Sequence, residues 1–84
     1  MSKHTLLVLH ISNRTRHASR VQEVLTAHGC SIKTRLGLHE AGDACSPDGL
    51  IVLEMCGEEA SIDSCEKALC DIEGLEVRRI TFSQ

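Results

Sequence analysis

A chain of 84 residues carrying nine basic and twelve acidic groups, for a formal net charge of -3, offers no electrostatic reason for a nucleic-acid or anionic-membrane partner. One Phe with no Trp or Tyr also removes the aromatic platforms on which single-stranded bases stack. The length fits one domain, residues 1–84, in which folding hides only about 60% of the unfolded surface, so a partner surface is expected to help.

The opening MSKHTLLVLHIS holds a short apolar run broken by His10 and Ser12, with no small-residue cleavage site after it. It reads as neither signal peptide nor membrane span, and a cytoplasmic protein is expected. Within it Thr5, Leu7, Leu9 and Ile11 alternate with Leu6, Val8 and two histidines, which predicts a strand with apolar groups on both faces. Asn13 is placed to cap a helix in which Ala18, Val21, Val24, Leu25 and His28 recur at helical spacing, and Gly29 is expected to end it in the left-handed conformation. The same segment, SNRTRHASR, brings Arg14, Arg16 and Arg20 to the helix start, where free N–H groups and the dipole favour an anion. A solvated basic loop is the competing reading.

CSIKTRLGLH alternates again, with Cys30, Ile32, Thr34, Leu36 and Leu38 against Ser31, Lys33, Arg35 and His39, and predicts a half-exposed strand. Gly42, Asp43, Ser46, Pro47, Asp48 and Gly49 then supply turn chemistry. LIVLEMC predicts an apolar strand. Ser61 is expected to cap a second helix with Ile62, Cys65, Leu69 and Ile72 on its apolar stripe, ended by Gly74. Cys65 belongs to that stripe and Cys70 does not. The last segment, LEVRRITF, shifts apolar parity between Val77 and Ile80, which suggests a bulge at Arg78 and Arg79.

This order, β-α-β-β-α-β, is the ferredoxin-like α+β sandwich: a four-stranded antiparallel sheet with both helices on one face. The other face, bearing Leu6 and Val8, is left for a second subunit to cover.

Five cysteines (Cys30, Cys45, Cys56, Cys65, Cys70) are expected as reduced thiols. His39 and Cys45 could meet in the hairpin between strands two and three, with Asp43 or Glu40 as a third ligand for zinc or nickel. No C-x-x-C and no histidine pair at i, i+4 is present, so a plain hairpin is expected and the metal sensor is the alternative. No cysteine has a local signature tying it to a base, and GEEASID contains no glycine-rich phosphate loop, so neither a thiol enzyme nor a bound cofactor is expected.

The run from HGCSIKTRLGLHE through DGLIVLEMCGEEASIDSCEKALCDIEGLEVRRITF resembles the iron-only hydrogenase system regulators, small ACT-like proteins of anaerobic bacteria, over nearly all of the chain. The pieces that carry the resemblance are R-x-G at Arg35 and Gly37, the apolar third strand, and I-x-G-[LV]-x-V from Ile72 to Val77. It implies an ACT-like fold, assembly into dimers or tetramers, and a non-enzymatic regulatory role. ACT domains bind small effectors at subunit interfaces through the loop after the first strand. Asn13, Arg14, Thr15 and Arg16 occupy that place, with neither the proline nor the glycine of the usual D-R-P-G turn. The C-terminal domain of nickel-responsive repressors is similar in topology. His39 matches its histidine region in kind, but Gly49 stands where the cysteine would be and Cys45 is several residues early, so nickel sensing is not carried over.

Overall fold

The structure, a computed structural model, describes residues 3–12, 14–38 and 49–83, with 14–17 and 38 described by backbone alone. Strand β1 (Lys3–Ile11) is followed by helix α1 (Arg14–Ala27), a short 3-10 turn (Gly29–Ser31), β2 (Ile32–Leu38), β3 (Gly49–Met55), α2 (Glu59–Cys70) and β4 (Leu75–Ser83). The strands form one sheet in the order β2-β3-β1-β4, with each neighbouring pair antiparallel. This is the expected α+β ferredoxin-like architecture.

Strand β1 occupies the middle because it is apolar on both sides. Its residues Thr5, Leu7, Leu9 and Ile11 are buried toward the helices, while Leu6, Val8 and His10 are half-buried on the other face. Val21, Val24 and Leu25 of α1 and Ile62, Cys65 and Leu69 of α2 join Leu7, Leu9, Leu53 and Met55 in one core. All the predicted stripe positions of α2 are buried, and Cys70 is exposed. Burial of so many aliphatic side chains, at roughly 1.5–3 kcal/mol each, is the dominant favourable term for folding.

Four local expectations are corrected. First, Gly29 does not end α1 in the left-handed region. The helix stops at Ala27, and Gly29 opens the 3-10 turn, with Ser31 N–H donating to His28 O at 2.9 Å. A tighter turn satisfies the last carbonyls as well as a left-handed residue does. The positive φ values belong to Gly57 (90°) and Gly74 (84°); Gly74 is left-handed before β4, but it does not end α2, which stops at Cys70 with a right-handed Asp71 after it. Second, Ser61 is not the cap of α2. That helix starts at Glu59, after an extended Glu58, and the Glu58 carbonyl accepts from Ser61 N at 3.0 Å and Ile62 N at 3.1 Å. Asn13, the cap expected for α1, lies outside the described residues.

Third, β4 has no bulge. Its register with β1 runs unbroken from Lys3↔Ser83 to Ile11↔Leu75. The apolar parity shifts because the strand changes packing partners along its length: Leu75 and Val77 face the core, whereas Ile80 and Phe82 face the other side. Fourth, the irregularity is on β2, where Ile32 pairs with Met55 but Thr34 pairs with Glu54. Lys33 is the extra residue, and Ile32 therefore faces the helices while Thr34 and Leu36 face away from them. Cys30, expected on the same face of the same strand, sits instead in the 3-10 turn.

Candidate functional site

Paired residues share a face of the sheet, so the register locates every side chain on the face away from the helices. One row across the sheet is Thr34, Glu54, Leu6 and Ile80, and the next is Leu36, Val52, Val8 and Arg78. Leu50, His10 and Glu76 follow on one side, and His4 with Phe82 on the other. Leu36 is 54% exposed, Leu50 36%, Ile80 42% and Phe82 59%. Large aliphatics and the sole aromatic residue are thus outside the core, while Leu6, Val8 and Val52 between them are half-buried. Polar groups flank this apolar band in pairs. His4 Nδ1 lies 3.6 Å from Glu54 Oε2, His10 Nδ1 lies 3.6 Å from Glu76 Oε1, and Arg78 reaches Glu76 at 3.1 Å.

The expected effector site falls at the other end of β1. Arg14, Thr15 and Arg16 form the first turn of α1 by backbone, and Asn13 lies outside the described residues. Ser12 N–H donates to Gly74 O at 2.9 Å, tying this entry to the turn before β4. Arg20 does not join the group at the helix start. It is exposed further along α1 and pairs with Glu23 at 3.2 Å. His39 and Cys45, with Glu40 and Asp43, lie outside the described residues. Among the described residues no group of three His, Cys, Asp or Glu is placed to hold a metal ion.

Sequence reasoning missed the densest ionic site among the described residues. Arg79, expected in a bulge, points instead to the helix side of a regular β4. There Nη1 donates to Asp63 Oδ1 at 2.6 Å and to Glu66 Oε1 at 2.8 Å, and Nη2 donates to Glu59. Lys3 Nζ adds a 2.8 Å bond to Glu59. The hydrogen bonds from Asp63 and Glu66 and the nearby Glu59 charge raise the Arg79 pKa well above its usual range. The signal was present: Glu59, Asp63 and Glu66 recur at i, i+4 and i+7 on α2 and needed one cation opposite them.

At the same end of the molecule a surface cleft of about 280 Å³ is lined by Lys3, His4, Lys33, Cys56, Gly57 and Glu59, among others. The irregularity in β2 brings Lys33 to this cleft beside Lys3. A second cavity, of about 340 Å³, lies between the helices and is lined by Ala27, His28, Cys30, Ser31, Ala60, Ser61 and Ser64.

No family model and no curated protein matches this chain. Solved structures do. The chain is similar to the uncharacterized protein TM1266 from Thermotoga maritima, with a TM-score of 0.82, 19% identity, and 98% of this chain and 100% of that one covered. It is also similar to SnoaB, a cofactor-independent oxygenase from Streptomyces nogalater, with a TM-score of 0.61 at 7% identity over 100% of this chain and 94% of that one. A third is CPII, a nitrogen regulatory PII-like protein from Thiomonas intermedia K12 bound to ADP, AMP and bicarbonate, with a TM-score of 0.59 at 11% identity over 99% and 96%. At these identities the likenesses show the fold. No helix among the described residues is long and apolar enough to cross a membrane.

Proposed function

We propose that this chain is a non-enzymatic regulatory module that senses a small anionic effector and works as a dimer or tetramer of identical copies. The observation that carries the reading is the face of the sheet away from the helices, with Leu36, Leu50, Ile80 and Phe82 exposed around half-buried Leu6, Val8 and Val52. An apolar band of this kind, rimmed by paired polar groups, has the composition of a subunit interface rather than of a solvated or catalytic surface. A second copy brings the same band and the same rim, which is the self-complementarity that a two-fold interface requires.

The effector reading rests on Asn13, Arg14, Thr15 and Arg16 at the start of α1. Arginines in the first turn of a helix, where N–H groups are free, suit a carboxylate or phosphate, and they stand out in a chain of net charge -3. CPII, of similar fold, is bound to anionic molecules, ADP, AMP and bicarbonate, which supports the same ligand chemistry here. Within regulatory modules, the resemblance of Arg35, Gly37 and the Ile72–Val77 stretch favours the iron-only hydrogenase system regulators.

Light scattering and native mass spectrometry of the purified protein test both parts. The unmodified chain is expected to be a dimer or tetramer at micromolar concentration, and Ile80→Glu with Phe82→Glu to be monomeric and folded. A monomeric unmodified chain overturns the assembly. Calorimetry against amino acids, nucleotides and organic acids tests the effector, and a ligand whose affinity ignores both Arg14→Glu and Arg16→Glu places the site elsewhere.

A further inference from the structure

Cys30 and Cys56 are far apart in sequence but adjacent in space. The Cys56 thiol donates to the Cys30 carbonyl oxygen, with Sγ and O 3.6 Å apart across a separation of 26 residues. Cys56 N–H donates to Ser31 O at 2.8 Å, which ties Cys56 to the residue next to Cys30. A disulfide needs its two Cα atoms about 4.4–6.8 Å apart, and these two contacts hold the Cys30 and Cys56 backbones as close neighbours. The Cys56 side chain leans toward Cys30 rather than away from it. Cys30 is exposed and Cys56 partly so, whereas Cys65 is buried and Cys70, also exposed, lies at the end of α2.

The turn that carries Cys30 is well held. His28 N and His28 Nδ1 both donate to Val24 O, at 3.1 and 2.9 Å, and Ser31 N donates to His28 O at 2.9 Å. The turn that carries Cys56 includes Gly57 at φ 90°, and a Cβ added at Gly57, or at Gly29 beside Cys30, would meet nothing within 4 Å, so there is open space beside both turns. Both thiols therefore sit on turns outside the packed core with open space beside them, so a bond between their sulfurs needs no rearrangement of the core.

We propose that Cys30 and Cys56 form a reversible intramolecular disulfide under attack by a low-molecular-weight disulfide of the glutathione class. Cys30, the more exposed thiol, loses its proton and attacks one sulfur of the small disulfide. That S–S bond breaks, one small thiolate leaves and takes the proton, and Cys30 holds the other half as a mixed disulfide. Cys56 then attacks the Cys30 sulfur, and the second small thiolate leaves with the Cys56 proton. Two protein thiols are oxidised and one small disulfide is reduced to two thiols. The bond staples the α1–β2 turn to the β3–α2 turn at one end of the sheet, beside the cleft that contains Lys3, Lys33 and Cys56. It would make the module's stability depend on thiol redox state.

The test uses the full chain, reduced and desalted, then incubated with oxidised glutathione. The expected result is a fall in titratable thiols from five by two, an intact mass lower by two hydrogens, and a peptide map that joins the Cys30 peptide to the Cys56 peptide. The melting temperature should rise on oxidation and fall back when dithiothreitol is added. Cys30→Ser and Cys56→Ser should each abolish the linked peptide and the thermal shift, while Cys70→Ser leaves both. A linked peptide from any other pair, or glutathione adducts without an internal bridge, overturns the proposal. Because the map is read on the unmodified chain, it decides the matter even where a serine variant fails to fold.

Discussion

Replacing Arg79 with Met keeps much of the side chain's apolar length and removes its charge, so it isolates what the guanidinium contributes. Arg79 is 20% exposed, and its acceptors Glu59, Asp63 and Glu66 are 51%, 59% and 30% exposed. Glu59 and Asp63 are exposed enough that surface values apply, about 0.2–1 kcal/mol for each pair. Three such contacts to one well-held guanidinium come to about 1.5 kcal/mol. Its removal also leaves three carboxylates on neighbouring turns of α2 with Lys3, bonded to Glu59, as their remaining cationic partner among the described residues, and each i, i+3 or i, i+4 repulsion costs about 0.3 kcal/mol. The expected loss is therefore about 2 kcal/mol, which for a domain of this size lowers Tm by roughly 8–16 °C. Paired thermal and urea melts followed by circular dichroism, at one protein concentration, measure it. The gap between the two proteins should narrow in 1 M salt, where the screening length falls to about 3 Å. A loss below about 0.5 kcal/mol, within the range of a single exposed pair, or a gap unmoved by salt, would refute the view that this network ties β4 to α2.

Leu53, fully buried on β3, should cost about 2–5 kcal/mol when cut to Ala, whereas Leu50→Ala on the opposite face of the same strand should cost little in urea melts of a dissociated sample; equal losses would mean that the two faces are misassigned. Burial raises the Cys65 pKa above its ordinary value, so the sign is fixed: the unfolded thiol ionises first, near about pH 8.5, while the native one stays protonated. This contribution is complete below that pH and is lost as pH rises toward the native value, by at most about 1.4 kcal/mol per pH unit. Urea titrations at pH 7.5 and 9.5 should show a steeper decline for the native chain than for Cys65→Ala, and parallel declines would exclude Cys65 as a source.

Element types and order were legible in the sequence because both periods are clean: Thr5 to Ile11 alternates, and Ile62, Cys65 and Leu69 repeat at helical spacing. What could not be read there was the side of the sheet to which a residue belongs, since that depends on register with a distant strand. The apolar parity of β4 has two explanations, a bulge or a change of face, and only pairing with β1 separates them. Local capping chemistry misled for a related reason. Gly29 and Ser61 have the right residue types for helix boundaries, yet local backbone bonding sets both helix ends earlier in the chain, with a 3-10 turn after Ala27 and the Glu58 carbonyl opening α2. The Cys30–Cys56 proximity was illegible because it arises from the hydrogen bond between Ser31 and Cys56, which joins segments with no shared motif.

The irregularity at Lys33 also bears on which changes in chain length this sheet can absorb. Elsewhere in a strand, losing one residue reverses the facing of everything beyond it. Here the residue is already surplus to the ladder, so its loss would restore a regular pairing of Ile32 with Met55 followed directly by Thr34 with Glu54, and Leu36 would stay where it is. Homologues one residue shorter at this point, and in step everywhere else, are therefore compatible with the same sheet. Alignment gaps between Ile32 and Thr34 should be read as an ordinary length polymorphism of an edge strand, not as evidence of a different fold.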